Sequence, residues 1–235
     1  MCGDCHSGGR IRWPSVATTC GTVVAADDGR MSDMPQVALG RPATYEDLVA
    51  VADNLVAEIV DGELWTSPRP APRHAVAYSA LAGLLGPPFH HGRGGPGGWW
   101  IIAEPELHLG NDVLVPDLAG WRRERMPHLP DTAYFSLAPD WVCEILSPST
   151  GVLDRTRKLR IYAREGVRHA WLVDPAMHMI EVLTLEAPGA DGSLPRRWVV
   201  VDTFGADQVA RIEPFDAVEL EVGLLWEDGT ATGQP

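Results

Sequence analysis

The stretch DWVCEILSPST, residues 140–150, decides the fold. Val142, Ile145 and Leu146 put apolar side chains on both faces of a strand, which places that strand in the interior of a sheet. Glu144 sits among them. A fully buried glutamate is rare unless it has a partner, so this acid needs either a counter-charge or a use. The run SPST that follows ends the strand and shapes a turn. DRTRKLRIYAREG then reads as a helix, with Gly166 as its C-terminal cap. RHAWLVDP resumes as a strand, so a crossover follows the Glu144 strand.

Upstream, TYEDLVAVAD has Thr44 as N-cap and Asp47 three residues later, a variant of the capping box. VAEIVDGELWTS reads as two strands joined at Asp61-Gly62. An alanine-rich helix is expected over 74–85, then a glycine-rich loop. WWIIAEPELHL and VLVPDLAGW are strand-like, as are MIEVLTLE, RRWVVVDTF and AVELEVGLLW. The expected class is mixed α/β: a central mixed sheet flanked by helices. The expected boundaries are a disordered leader over 1–40, one domain over 41–226 and a disordered tail over 227–235.

The 235 residues suit one domain. The net charge of −13 disfavours unaided nonspecific binding to a phosphate backbone. A nucleic-acid substrate then needs a local arginine patch, a partner or divalent metal ions. No apolar run reaches the roughly 18–20 residues of a membrane helix, so no membrane partner is expected. Cys2, Cys5, Cys20 and Cys143 form no disulfide framework, and no secretory signal precedes them, which points to a reducing, cytoplasmic setting. CGDCH at 2–6 matches a haem-attachment pattern, but no haem-sized helical domain follows. Of 19 basic residues only Lys158 is a lysine, and a point-charge ammonium is not equivalent to a guanidinium.

Three features point to one place. VPDLAGW sets Asp117 after Pro116, Glu144 follows 27 residues later, and Lys158 lies on the next helix, four residues after Asp154. Magnesium is held by one or two carboxylates plus phosphate oxygens, and it can activate a water. A lysine nearby offsets charge in the transition state. Two acids and a lysine on adjacent elements are a minimal phosphodiesterase set.

AEIVDGELWTSPRPAPRHAV, VPDLAGW, WVCEILSPST, DRTRKLRIYAREGVRHAWLVDP and IEVLTLE together resemble the Uma-type restriction endonuclease family of the PD-(D/E)xK nuclease superfamily. The resemblance implies a restriction-endonuclease-like fold and Mg²⁺- or Mn²⁺-dependent hydrolysis of DNA. It implies Asp117 and Glu144 as metal ligands and Lys158 as base or charge stabiliser. Glu58 matches a recurrent acid, and His74 a histidine at a helix start that contacts substrate. The superfamily lysine belongs two residues after Glu144, where this chain has Leu146, so the resemblance moves that role to Lys158. A homodimer suits the cutting of two strands. The alternative is a catalytically weak or inactive accessory protein that binds DNA or a protein partner.

Arg122 and Arg123, in GWRRERM, form the best local basic patch for phosphates, against the blander reading of a solvated loop. Ser147 and Ser149 lack a nucleophile elbow and read as turn residues. Cys143 points away from Glu144 into the core. Glu63 is expected to face solvent, and Glu104 and Glu106 to have ordinary strand exposure, with an approach of one of them to the site as the alternative.

Overall fold

The computed structural model describes residues 36–187 and 196–226. The N-terminal cysteines, CGDCH, most of the leader and the C-terminal tail lie outside the described residues. Strand β1 (Gln36–Val37) pairs with Trp65 and Leu64 of the strand that follows the Asp61-Gly62 turn.

Thr44 and Asp47 cap α1 (Tyr45–Val49) reciprocally, as the sequence predicts: the Thr44 backbone N–H donates to Asp47 at 2.8 Å, and the Thr44 side chain accepts from the Asp47 N–H. Strands β2 (Leu55–Val60) and β3 (Glu63–Pro68) form the hairpin. Its turn residues Asp61 and Gly62 both have positive φ, 53° and 78°, as a type I′ turn requires. Helix α2 spans Pro72–Leu85, with proline in its first turn where no N–H partner is needed. A π-helical turn, Gly86–His90, extends it.

The next two segments depart from expectation. WWIIAEPELHL is not one strand. It breaks at Glu104-Pro105, where Glu104 takes φ 43°, into β4 (Trp99–Ala103) and β5 (Leu107–Leu109). VLVPDLAGW breaks at Pro116 into β6 (Asp112–Leu114) and β7 (Leu118–Arg122). The breaks move the chain between sheets. β5 and β6 join an antiparallel sheet in the order β1-β3-β2-β6-β5. β4 and β7 join a six-stranded sheet, β11-β10-β9-β8-β7-β4, built with β8 (Trp141–Ile145), β9 (His169–Asp174), β10 (Met179–Glu186) and β11 (Arg197–Gly205).

Within that larger sheet, β8 and β9 are parallel and the other pairs antiparallel. A parallel pair needs a crossover, and one helical segment supplies it: α3 (Gly151–Leu153), a π-helical turn (Asp154–Lys158) and α4 (Leu159–Glu165). Gly166 ends it at φ 79°. The predicted final strand AVELEVGLLW is strand only at β13 (Leu220–Glu221), which pairs with β12 (Val209–Ala210). It then becomes a 3₁₀ turn that packs Val222, Leu225 and Trp226 into the core.

Alternation along β8 divides the core. Trp141, Cys143 and Ile145 face a cluster shared with α2 and the C-terminal segment. Val142 and Leu146 face the other cluster, which contains Leu153, Leu159 and Tyr162 of the crossover and Val60, Trp65 and Leu114 of the smaller sheet. Glu144 therefore lies in the layer between the sheets, beneath the crossover helix.

Gly120, on β7, sits under three side chains. A Cβ there would meet Trp141 at 3.1 Å, Trp99 at 3.2 Å and Ile101 at 3.4 Å. Gly120→Ala overpacks this core and is expected to cost about 1–3 kcal/mol, read as a lowered urea midpoint.

Candidate active site

Asp117 precedes β7, and Leu118 pairs with Cys143. Continued by one residue, that register sets Asp117 across from Glu144, where facing Cβ atoms are roughly 4.5–5.5 Å apart. The two acids separated by 27 residues in sequence are thus neighbours across a strand pair. Asp117 is fixed from both sides: the Ile145 N–H donates to its Oδ2 at 2.6 Å, and its Oδ1 lies 3.0 Å from His74 Nε2.

Glu58 reaches the same layer from β2 in the other sheet. Its Oε1 accepts the Val115 N–H at 2.8 Å and lies 3.0 Å from the Lys158 ammonium. Lys158 also meets Glu144 at 3.0 Å and Asp154 at 3.3 Å. Tyr162 donates to Glu144 Oε1 at 2.6 Å. Glu58, Glu144, Asp154 and Lys158 are only 2–3% exposed, so all four charges have been taken from water.

The electrostatics follow from that burial. Desolvation pushes the Glu144 carboxyl well above its usual range despite the opposing charge of Lys158, and Asp154, Asp117 and Glu58 push the same way. Burial raises Asp154 to about 6, although Lys158 works against it. For Lys158 burial disfavours the cation, but Glu144, Glu58, Tyr162 and Asp154 outweigh it and hold the ammonium well above its ordinary value. His74 follows the same pattern: burial opposes protonation, while the hydrogen bond to Asp117 and the charges of Asp117, Asp154 and Glu104 raise it.

Asp117, Glu144, Lys158, Glu58 and His74 all line one cleft of about 350 Å³. It lies where β8 ends, between the two sheets. β8 is an inner strand, so the cleft opens from the gap between the sheets. Arg122 and Arg123 do not line this cleft. They lie at the opposite end of β7 from Asp117. The Arg122 guanidinium is 4.6 Å from the Trp99 ring centroid. Arg123 stacks 3.7 Å from that of Trp100 and donates to the Trp99 and His90 carbonyls.

Sequence reasoning missed four residues in or beside the cleft. Asp154 carried a signal, its i, i+4 spacing to Lys158, but was read only as that lysine's partner. Tyr162, which the sequence marks only as part of the crossover helix, is buried in the core and bonded to Glu144. Arg69 and Glu104 line the cleft mouth, whereas Glu106 turns away to Tyr45 and His108. Glu63 keeps substantial exposure and forms an ion pair with Arg157.

The donor chemistry fits a hard divalent cation. Asp117 and Glu144 both line a cleft whose five carboxylates outnumber its one lysine. Among the described residues no three His, Cys, Asp or Glu side chains already stand at metal-ligand spacing.

Residues 42–222 match the family described as "Uma2: Putative restriction endonuclease". A solved structure of "a putative nuclease belonging to DUF820" from Anabaena variabilis ATCC 29413 is similar in fold, with a TM-score of 0.59 and 19% identity. The similarity covers 78% of this chain and 97% of that one. No curated protein matches the chain.

Lys158→Met leaves Glu58, Glu144 and Asp154 buried without their cation and is expected to cost about 3–5 kcal/mol at neutral pH. Tyr162→Phe removes one hydrogen bond to a charged group and is expected to cost about 1.5–3 kcal/mol. Adding Glu144→Gln to Lys158→Met is expected to restore part of the loss. Chemical denaturation of all three variants checks the order and the coupling.

Proposed function

Because the chain belongs to the Uma2 family, which its match over residues 42–222 shows, we propose that it is a divalent-metal-dependent endonuclease that hydrolyses phosphodiester bonds in DNA. The observation that carries this reading is that Asp117, Glu144 and Lys158 line one cleft, with Asp117 bonded to the Ile145 N–H next to Glu144 and Lys158 3.0 Å from Glu144. Asp117 and Glu144 would hold Mg²⁺ or Mn²⁺. When bound, the ion supplies charge neutralisation and an activated water.

The chain's own residues prepare that site. Ile145 N–H and His74 fix the two oxygens of Asp117. Tyr162 and Lys158 fix those of Glu144. Lys158 is held as a cation, so of the two roles the sequence suggests, it serves as charge stabiliser and not as base. Glu58 anchors Lys158 from the second sheet and is a positioning residue. His74 acts on Asp117 in the same way.

A second reading, a nuclease fold that binds DNA or a protein without turnover, draws on one observation. The Lys158 ammonium is surrounded by acids of the chain itself: it donates to Glu144 and lies 3.0 Å from Glu58 and 3.3 Å from Asp154.

Incubation of plasmid and linear DNA with the purified protein decides between them. Cleavage is expected with Mg²⁺ or Mn²⁺ and is lost on chelation. Glu144→Gln and Asp117→Asn are expected to abolish it, and Lys158→Ala to reduce it about 100-fold or more, the scale on which electrostatic donors act. Cleavage that persists in Asp117→Ala/Glu144→Ala refutes the site. Metal binding without cleavage by the wild type supports the second reading.

A further inference from the structure

The cleft poses an electrostatic problem for the substrate proposed above. Glu58, Glu104, Asp117, Glu144 and Asp154 line it, and the chain carries −13 overall. A polyanion approaching this lining needs donors at the mouth. Arg122 and Arg123 are at the far end of the strand, and Lys158 is enclosed by acids. Two groups at the mouth are differently placed.

Arg69 lines the cleft, is exposed, and pairs with none of these carboxylates. Its one hydrogen bond among the described residues goes from Nη2 to the Asp53 carbonyl at 3.2 Å, which leaves the rest of the guanidinium fork free. Pro68 and Pro70 flank it, and Pro72 opens α2. Prolines on both sides restrict the backbone and lower the entropy lost when the side chain engages a ligand.

Ser149 comes from the turn after β8. Ser147 Oγ is committed: it lies 3.0 Å from Ser149 Oγ and 3.0 Å from Thr150 Oγ1, and it accepts the Thr150 N–H at 3.2 Å. Ser149 has only the contact to Ser147 among the described residues. A hydroxyl carries one donor and two acceptor positions, so when Ser147 donates to Ser149 the Ser149 proton is free to turn into the cleft. A neutral donor also adds no charge to the lining.

We propose that Arg69 and Ser149 grip the phosphodiester backbone of a nucleic-acid strand at the cleft mouth, Arg69 as the charged contact and Ser149 as the neutral one. This rests on the nucleic-acid reading of the site but not on turnover. It gives SPRPAP and SPST, which read from sequence as a loop and a turn, a role in holding substrate.

The test is fluorescence anisotropy with labelled single-stranded and duplex oligonucleotides, without added divalent ions and again with Ca²⁺, across a salt series. Arg69→Ala is expected to weaken binding about tenfold or more. It is also expected to flatten the dependence of log K on log salt by roughly 0.7 for single strands or 0.9 for duplex, one phosphate contact. Ser149→Ala is expected to weaken binding severalfold with the slope unchanged. Arg69→Lys is expected to restore the slope, because it keeps the charge. Wild-type slopes and affinities in both alanine variants overturn the inference, as does a slope lost in Arg122→Ala and kept in Arg69→Ala. Binding that behaves as expected with no cleavage upholds it while the turnover reading fails. A wild type that binds neither oligonucleotide refutes both.

Discussion

One buried ammonium holds the molecule's functional half together. Lys158 meets Glu58 from the smaller sheet, Glu144 from the larger sheet and Asp154 from its own helical turn. Each of those ions loses several kcal/mol of hydration on burial, and only close contacts with opposite charge offset it. Replacing such a group by apolar side chains is often neutral or stabilising, so stability alone does not account for keeping it. The arrangement makes sense as a device that holds two carboxylates of Glu58 and Glu144, from separate sheets, at fixed positions around one cation. Tyr162 adds a second donor to Glu144, so that its orientation does not rest on Lys158 alone.

The lysine's place on the helix repays attention to local geometry. Residues 154–158 form a π-helical turn between two α-helical pieces. Such turns are rare and concentrate at functional sites. Here the turn carries both Asp154 and Lys158 inward as buried residues, while the ordinary helical turns on either side bury Leu153, Leu159 and Tyr162. A helix that buries charges along one short stretch and apolar side chains on both flanks gives the core and the site the same scaffold.

Much of this was legible from the residues. The apolar run around Glu144 predicts an inner strand, and it is one. The Asp61-Gly62 hairpin, the Thr44 cap and the Gly166 terminus follow from turn and cap chemistry that acts over a few residues. Lys158 stands out as the chain's single lysine, and Asp117 by its place after Pro116 ahead of the Glu144 strand. The rest depended on long-range geometry. Nothing local says that β5 and β6 leave one sheet for another. Glu104 at positive φ and Pro116 mark the breaks, but a break in a strand does not reveal its destination. The arginines of GWRRERM were legible as charge and not as contacts: aromatic faces and carbonyls had already claimed Arg123.

Those two breaks have a mechanical consequence. The chain passes from the larger sheet to the smaller through Glu104-Pro105 and returns through Pro116-Asp117, so the walls of the cleft are tied by two short, stiff bridges. Each bridge carries an acid that lines the cleft. The walls therefore cannot swing apart as the jaws of a hinge would without dragging Glu104 and Asp117 with them. The width of the gap and the positions of these two acids are one variable, not two.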